Sequence, residues 1–397
     1  MKRRTVVSLE QALSLPSCTL RFVQLGWRVI RIEATPSGGA DRPGDPNRYV
    51  GGEVAGSDRR TYYIAPNVGK EVIALNLQTP EGHAALHRII KTLDVDVFCC
   101  NTLPVRYAKL GIDYDTLRAI KPDIIWAGIS AMGPEFPDTP GYDPMIQARV
   151  GLMELTGHPG GPPMLVGVPL VDLKAGDEAY SSVMRALLER AESGHGQRID
   201  ISMFQAAASW LIAQMPLIDL GDDPWLYRRN GNAERNFVPS STYTACDGYV
   251  FIVIGNDIQW HRFVEIPMFA PVANDLRATI EGRKRDRDAL WREIGEITRN
   301  YTAAEIVADL SAAKLVHAVI RDLREVHSME YIRDRMTRTR LPDGTVVGMQ
   351  PKAVDLPDTS SEFPLAPHYG EHTRAVLGEV GYDADDCDAL EAAGVIA

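Results

Sequence analysis

Several short stretches in the first two hundred positions are apolar almost throughout. TVVSL (5–9), WRVIRIE (27–33), EVIALNL (71–77), VDVFCC (95–100) and DIIWAGIS (123–130) each predict a β-strand. An unbroken apolar run is what a strand covered on both faces carries. Between these runs the period lengthens to that of a helix, over TPEGHAALHRIIKTL (79–93) and DYDTLRAI (113–120). Thr79 is placed to cap the first of these helices, with Pro80 at its first position. Alternating β and α predicts an α/β fold built on a doubly wound, mostly parallel, Rossmann-like sheet. Two long helices follow, over about 172–192 and 202–219.

Two stretches break this rhythm. Residues 34–70 (PSGGADRPGDPNRYVGGEVAGSDRR at their centre) and 131–171 (GPEFPDTPGYDP, then GHPGGPPMLVGVP) are rich in Gly and Pro. Connections this long are usually functional or ordered by a partner. From about 225 the character changes. YTACDGYVFIVIG (243–255) predicts a β-hairpin turning at Asp247-Gly248, and LPDGTVVGM (341–349) a second one turning at Asp343-Gly344. Charged helical patterns lie at 282–299 and 303–313, and EHTRAVLGEVGY gives a last helix. The expected organisation is a large domain over 1–224, a smaller α+β domain over 225–325, and a C-terminal segment, 326–397, that returns to the large domain.

Composition narrows the chemistry. The 397 residues carry a net charge of -11, which argues against a broad nucleic-acid or anionic-membrane surface. A local basic pocket for a phosphorylated ligand remains compatible with it. The five cysteines are odd in number and form no CxxC pair, so the pattern suggests reduced thiols in a cytoplasmic protein. No apolar run reaches the roughly 18 residues of a membrane span. Lys2, Arg3 and Arg4 ahead of VVSLEQALSLPSC imitate a signal peptide, but Glu10 and Gln11 interrupt the apolar region.

The turn after the first strand reads EQALSLPS, without the glycines that let a backbone approach a dinucleotide pyrophosphate. There is no G-x-S-x-G elbow and no Walker loop, so neither hydrolase nor P-loop chemistry is indicated. His368 and His372 have metal-binding spacing, but Pro364, Pro367 and Gly370 place them across a helix start. No third ligand accompanies them, and the expectation is capping or surface roles and no metal. Asp172 lies at a loop-to-helix junction. It can cap that helix, or stand as a reactive carboxylate beside unpaired backbone N–H groups.

An ordered set of segments then points to a family. LGWRVIRIE (25–33), GDPNR (44–48), NVGKEVIALNLQTPEG (67–82), GYDPMIQARVGLMELTG (141–157), VGVPLVDLKAG (166–176), GHGQRIDISMFQAA (194–207), DGYVFIVIGNDIQW (247–260) and GEHTRAVLGEVGY (370–382) span nearly the whole chain. Together they resemble class III CoA-transferases, the family of formyl-CoA transferase, alpha-methylacyl-CoA racemase and carnitine CoA-transferase. The resemblance implies that Asp172, the last residue of Gly167-Val168-Pro169-Leu170-Val171-Asp172, is the nucleophile. Its carboxylate would attack an acyl-CoA thioester to give a mixed anhydride and then an aspartyl-CoA thioester.

The resemblance also assigns CoA contacts to Leu75, Asn76, Leu77 and Gln78, to Asn101, Thr102 and Leu103, and to Lys109, Tyr142 and Arg48. Acyl-CoA and a carboxylic acid are then the substrates, with no tightly bound cofactor. Partners would be a second copy in an interlocked dimer, or a related subunit in a hetero-oligomer. VVSLEQA, IRDLREVHSMEYIRDRM and RLPDGTVVGM look like relatives that use succinyl-CoA and branched or aromatic dicarboxylates.

This chain departs from the family's pattern in places. Ala34 and Leu103 stand where the family usually has basic residues, and Arg42, Arg48, Arg59 or Arg60 are candidates to restore the charge. NGNAERNFVP (230–239) is poor in glycine where formyl-CoA transferase has a glycine-rich loop, which argues against formyl-CoA or oxalate. Tyr142 replaces the histidine of the racemase branch, and a phenol is a poor proton shuttle at neutral pH. Transfer is therefore favoured. The alternatives are an acyl-CoA racemase or isomerase, and a weakly catalytic CoA-binding subunit.

Overall fold

The computed structural model describes residues 3–36, 42–221, 223–357 and 359–397, so Lys2 and part of the 34–70 connection lie outside the described residues. The chain divides into two compact units. One comprises residues 1–150, 167–210 and 330–397, and the other 151–166 and 211–329.

The first unit is built on a six-stranded parallel sheet. Its strands are β1 (Thr5–Leu9), β2 (Arg28–Glu33), β3 (Glu71–Ala74), β4 (Val97–Cys100), β5 (Ile125–Ser130) and β6 (Arg198–Ser202). Their spatial order is β3-β2-β1-β4-β5-β6. Five of the six coincide with the apolar runs. The sixth, RIDIS, alternates charged and apolar residues because it is an edge strand with exposed positions.

Helices cover the sheet: α1 (Ser14–Gln24), α2 (Pro80–Thr92), α3 (Tyr114–Ile120), α4 (Asp143–Arg149) and α5 (Leu170–Ser193). Thr79 does cap α2, its hydroxyl accepting the Gly82 N–H at 3.1 Å. The helix expected over 202–219 is broken instead into Met203–Ala208, a 3-10 turn over Ser209–Ala213, and Met215–Leu220. Pro216 explains the break, since it removes a backbone donor and opens a new first turn.

The chain runs from β1 to one side of the sheet and from β4 to the other. The crevice beyond their C-terminal ends is therefore a topological switch point, where ligands of such sheets bind. The 330–397 segment closes the crevice's other edge: Leu75, just past β3, bridges Ile396, and the Asn76 N–H donates to the Val395 carbonyl at 2.7 Å. It also forms a small sheet of β10 (Met336–Arg340), β11 (Val346–Pro351) and β12 (Glu362–Phe363), turning at the predicted Asp343-Gly344. Gly344 has φ 88, which suits glycine at that turn.

The second unit has its own antiparallel sheet, β7 (Ser240–Thr244), β8 (Tyr249–Val253) and β9 (Val316–Val319). Its core joins Tyr243 and Ile252 to Trp260, Phe263 and Phe269, and to Leu290 and Ile294 of α6 (Arg287–Thr298).

Candidate active site

A cavity of about 440 Å³ opens at the switch point. Leu9, Glu10 and Gln11 line it after β1, Ile32 to Thr35 at the end of β2, and Leu75, Asn76, Leu77 and Gln78 after β3. Asn101 and Thr102 line it after β4, and Arg106, Lys109 and Leu110 close it beyond. Seven of the ten CoA-contact residues expected from the sequence thus converge here: Leu75, Asn76, Leu77, Gln78, Asn101, Thr102 and Lys109.

The other three do not line it. Leu103 precedes a short 3-10 turn (Pro104–Arg106) and is not among the lining residues. Tyr142 is 76% exposed at the N-cap of α4. Arg48 is fully buried: its guanidinium donates to Glu33 at 2.7 and 2.9 Å, to Tyr63 Oη at 2.6 Å and to the Pro367 carbonyl. A cation so enclosed is spent on structure, so Arg48 does not restore the missing phosphate contact. Nor do its neighbours line the cavity. Arg59 and Arg60 donate to carbonyls of their own loop, and Arg42 lies over the Tyr49 ring.

The charge comes from Arg106 instead, three residues before Lys109 on the same rim. Sequence reading passed it over, although an Arg and a Lys three apart on one turn were its signal. Both side chains are exposed, and no ion pair engages either among the described residues.

Two expected contacts also have structural duties. The Asn101 amide holds the β1–α1 turn, accepting the Gln11 N–H at 3.0 Å and donating to the Gln11 carbonyl at 2.8 Å. Asn76 Oδ1 accepts the Gln78 N–H at 3.0 Å. The β1–α1 turn that Asn101 holds needs such support, since Ala12 has φ 58, a conformation that ordinarily favours glycine. Its N–H donates to Asp45 Oδ2 at 3.0 Å.

Beneath the cavity lies a buried ionic cluster. Glu10, Glu33 and Asp45 line the floor, backed by Lys70, Arg31 and Arg48. Burial favours neutral acids, yet Lys70 and Arg31 hold Glu10 below the usual carboxylate range, and Arg31 and Arg48 do the same for Glu33. The floor is therefore charged but internally paired, which leaves Arg106 and Lys109 as the cations lining the cavity among the described residues.

Asp172 lies in the first turn of α5. The N-cap position is Pro169, and no side chain of the helix caps it. The capping role weighed from sequence is thus taken by another residue. Asp143 Oδ2 accepts the N–H of Val171 at 2.7 Å and of Asp172 at 3.2 Å, and Asp143 Oδ1 accepts from Gln147 Nε2 at 2.6 Å. The Leu170 and Leu173 N–H groups go to Val168 and Pro169. The free backbone donors expected beside Asp172 are therefore all engaged. Its own carboxylate has no hydrogen bond or ion pair among the described residues. Burial, then the nearby Asp143 charge, push it up to about 7.

Asp172 is not among the residues that line the cavity, but helix α5 sets it near the turn that does. The helix packs against α1 with both chains running the same way: Gly176 faces Ser14 and Ser17, Asp177 pairs with Arg21, and the Tyr180 ring packs tilted against Phe22. One turn before Gly176, Asp172 is thus level with the residues that precede Ser14. Those residues form the β1–α1 turn, whose Gln11 lines the cavity. Asn101 Nδ2 reaches Ser14 Oγ at 3.3 Å from the cavity side.

The sequence model of CoA-transferase family III matches residues 1–373. The chain belongs to CoA-transferase family III, and is an enzyme of that class. Among its relatives, a succinate–glutarate CoA-transferase of Agrobacterium fabrum is 30% identical over 94% of each chain. A succinyl-CoA:mesaconate CoA-transferase of Haloarcula hispanica is 28% identical over 95% of each. The crystal structure of a CAIB/BAIF family protein from Brucella suis superposes with a TM-score of 0.82 at 28% identity, covering 95% of this chain and 98% of that one. In a CoA-transferase of this family, an acyl-CoA thioester and a carboxylic acid are the substrates.

The two histidines at metal spacing do other work. His368 Nδ1 lies 2.8 Å from Asp58 Oδ1, and His372 Nδ1 accepts the Val72 N–H at 3.3 Å. Among the described residues no helix is long and apolar enough to cross a membrane.

Proposed function

We propose that this chain moves CoA from succinyl-CoA, or a similar dicarboxylic thioester, to a second carboxylic acid through a covalent intermediate on Asp172. The observation that carries this reading is the unpartnered, half-buried Asp172 carboxylate, on a helix packed beside the β1–α1 turn whose Gln11 lines a cavity sized for part of a nucleotide thioester. The donor follows from relatives named for succinyl-CoA or succinate with glutarate, mesaconate and citramalate.

The steps balance as two exchanges. The Asp172 carboxylate attacks the thioester carbonyl carbon, the C–S bond breaks, and CoA leaves as thiolate from a mixed anhydride. The thiolate attacks the aspartyl carbonyl, releasing the donor acid and leaving Asp172 as its CoA thioester. The acceptor carboxylate attacks that thioester, and the thiolate then takes the new acyl group and frees Asp172. Leu75 to Gln78, Asn101 and Thr102 form the slot that holds the CoA moiety throughout, and Arg106 and Lys109 meet its phosphates. With the first-turn N–H groups committed to Asp143, Val168 and Pro169, donors for the oxyanion come from elsewhere than the start of α5.

A second copy completes the assembly in this reading. Ile212, Met215, Ile218 and Leu220 are 80%, 48%, 57% and 76% exposed along one short stretch, an apolar surface that calls for cover. Light scattering is expected to give about twice 43.8 kDa, with a monomer contradicting it. The five cysteines are free, which suits a reducing, cytoplasmic setting.

The test is direct. The purified chain is incubated with succinyl-CoA and, separately, glutarate, mesaconate and citramalate, and new thioesters are followed by mass spectrometry. A new acyl-CoA formed in step with succinate release is expected. Hydrolysis alone, with no new thioester from any acid, would reject the reading.

A further inference from the structure

Two separate segments that line the cavity of the first unit meet on one side chain. The loop after β3 brings Leu77 and Gln78 to the cavity, and the turn that follows β4 brings Lys109 and Leu110. Among the described residues no backbone hydrogen bond joins the two segments. Leu77 and Ile112 belong to one hydrophobic core, which holds the segments together but, being non-directional, does not orient their backbones.

His83, near the start of α2, supplies the directional tie. Its Nε2 lies 2.9 Å from the Leu77 carbonyl oxygen. A carbonyl only accepts, so Nε2 carries the proton and donates. The face of the same ring meets Gly111. A Cβ built on that glycine would lie 3.0 Å from the imidazole Cγ and 3.1 Å from Cδ2 and Nδ1, so the glycine sits over the ring and not at its outer edge. His87, one turn further along α2, continues the contact. Its ring stacks on that of His83 with centroids 6.2 Å apart, and its Nε2 lies 3.3 Å from the Gly111 carbonyl oxygen. The Gly111 N–H in turn donates to the Ala108 carbonyl at 3.1 Å, so the turn that carries Lys109 is fastened to the glycine that the two histidines hold.

We propose that His83, backed by His87, is a positioning residue for the CoA thioester. On the reading that this cavity holds CoA, it sets the gap between Leu77–Gln78 and Lys109 at which the ligand fits. His83 does not line the cavity itself, so it acts through the two segments it touches. A gap held in advance lowers the ordering cost of binding.

Calorimetric titration of the full chain with free CoA is the measurement. His83→Leu keeps an apolar body and removes the donor. It is expected to weaken binding about three- to tenfold, the worth of one such hydrogen bond. His83→Gln carries an amide N–H at the same number of bonds from the backbone as the imidazole Nε2–H, and is expected to bind within about twofold of wild type. A side chain that only stabilised the fold would lose CoA affinity in step with melting temperature, whatever replaced it. His83→Gln is expected instead to recover affinity even where it melts no higher than His83→Leu.

Lys109→Ala separates this role from the reading of the cavity. If Lys109→Ala weakens binding while His83→Leu binds as wild type, the cavity holds CoA and the positioning role of His83 is overturned. Equal weakness of His83→Gln and His83→Leu would also overturn it, because the donor would then not matter. No binding by wild type, or wild-type binding by Lys109→Ala and Arg106→Ala alike, would overturn the CoA reading of the cavity and the role of His83 with it.

Discussion

Asp143 caps the helix that carries Asp172, accepting the N–H of Val171 at 2.7 Å and of Asp172 at 3.2 Å from 28 residues upstream in the chain. One carboxylate thus fixes the backbone of the other while its charge opposes the other's ionisation. The arrangement leaves the Asp172 side chain free of capping duty, so it is available for chemistry.

This pairing has a pH signature. Asp172, pushed up to about 7 by burial and then by Asp143, reacts only when ionised, so turnover should fall as pH drops below about 7. Asp143→Asn removes the like charge and should move that acid limb to lower pH. It should also cost about 1 kcal/mol of stability through the weakened cap. An unmoved limb in a pH–rate profile would show that Asp143 does not tune Asp172.

Stability carries the same shift with a definite sign. Because the folded value lies above the ordinary 3.8, the folded chain holds the Asp172 proton across a window where the unfolded chain has lost it. Stability from this group therefore declines as pH rises from about 4 to about 7, and is flat above. Asp172→Asn removes that slope. Thermal melts should show the variant gaining on wild type across this window, and a constant difference would contradict the shift.

Arg106 and Lys109 are expected to act on ligand, and Arg48 on the fold. Arg106→Ala and Lys109→Ala should each weaken CoA binding by about 1–2 kcal/mol, less at high salt. Arg48→Ala should cost roughly 3–5 kcal/mol of stability by stranding Glu33 in the core. Calorimetry and denaturant unfolding separate the two effects. Arg48→Ala folded normally but unable to bind CoA would reverse this assignment.

Gly176 sets the distance between α1 and α5. A Cβ there would run into Ser17 Oγ and lie 2.6 Å from the Ser14 carbonyl. Gly176→Ala should lose about 1–3 kcal/mol of stability and push Asp172 away from the cavity, lowering kcat more than CoA affinity. Equal kcat in the variant would show that this packing does not position Asp172.

Much of the sheet was legible because its strands are buried on both faces: Thr5–Leu9 and Val97–Cys100 advertise themselves as apolar runs. The edge strand Arg198–Ser202 was not, because an exposed strand alternates with charge. Leu75 to Gln78 and Asn101, picked out from the sequence, line one cavity, since strand ends at a switch point are a property of topology. Arg48 was misjudged and Asp143 passed over for a common reason. Both are charged residues that the fold buries, and burial depends on partners far along the chain: Pro367 for Arg48, Val171 for Asp143. Sequence spacing marks a charge but not whether it is already spent.

The covalent role of Asp172 is tested most directly by trapping. The chain is incubated with succinyl-CoA, then hydroxylamine, and its peptides are mapped by mass spectrometry. A hydroxamate on Asp172, formed only when the acyl-CoA is present and absent from Asp172→Asn, is the result this account predicts. A hydroxamate on another carboxylate, or full transfer activity in Asp172→Asn, would contradict it.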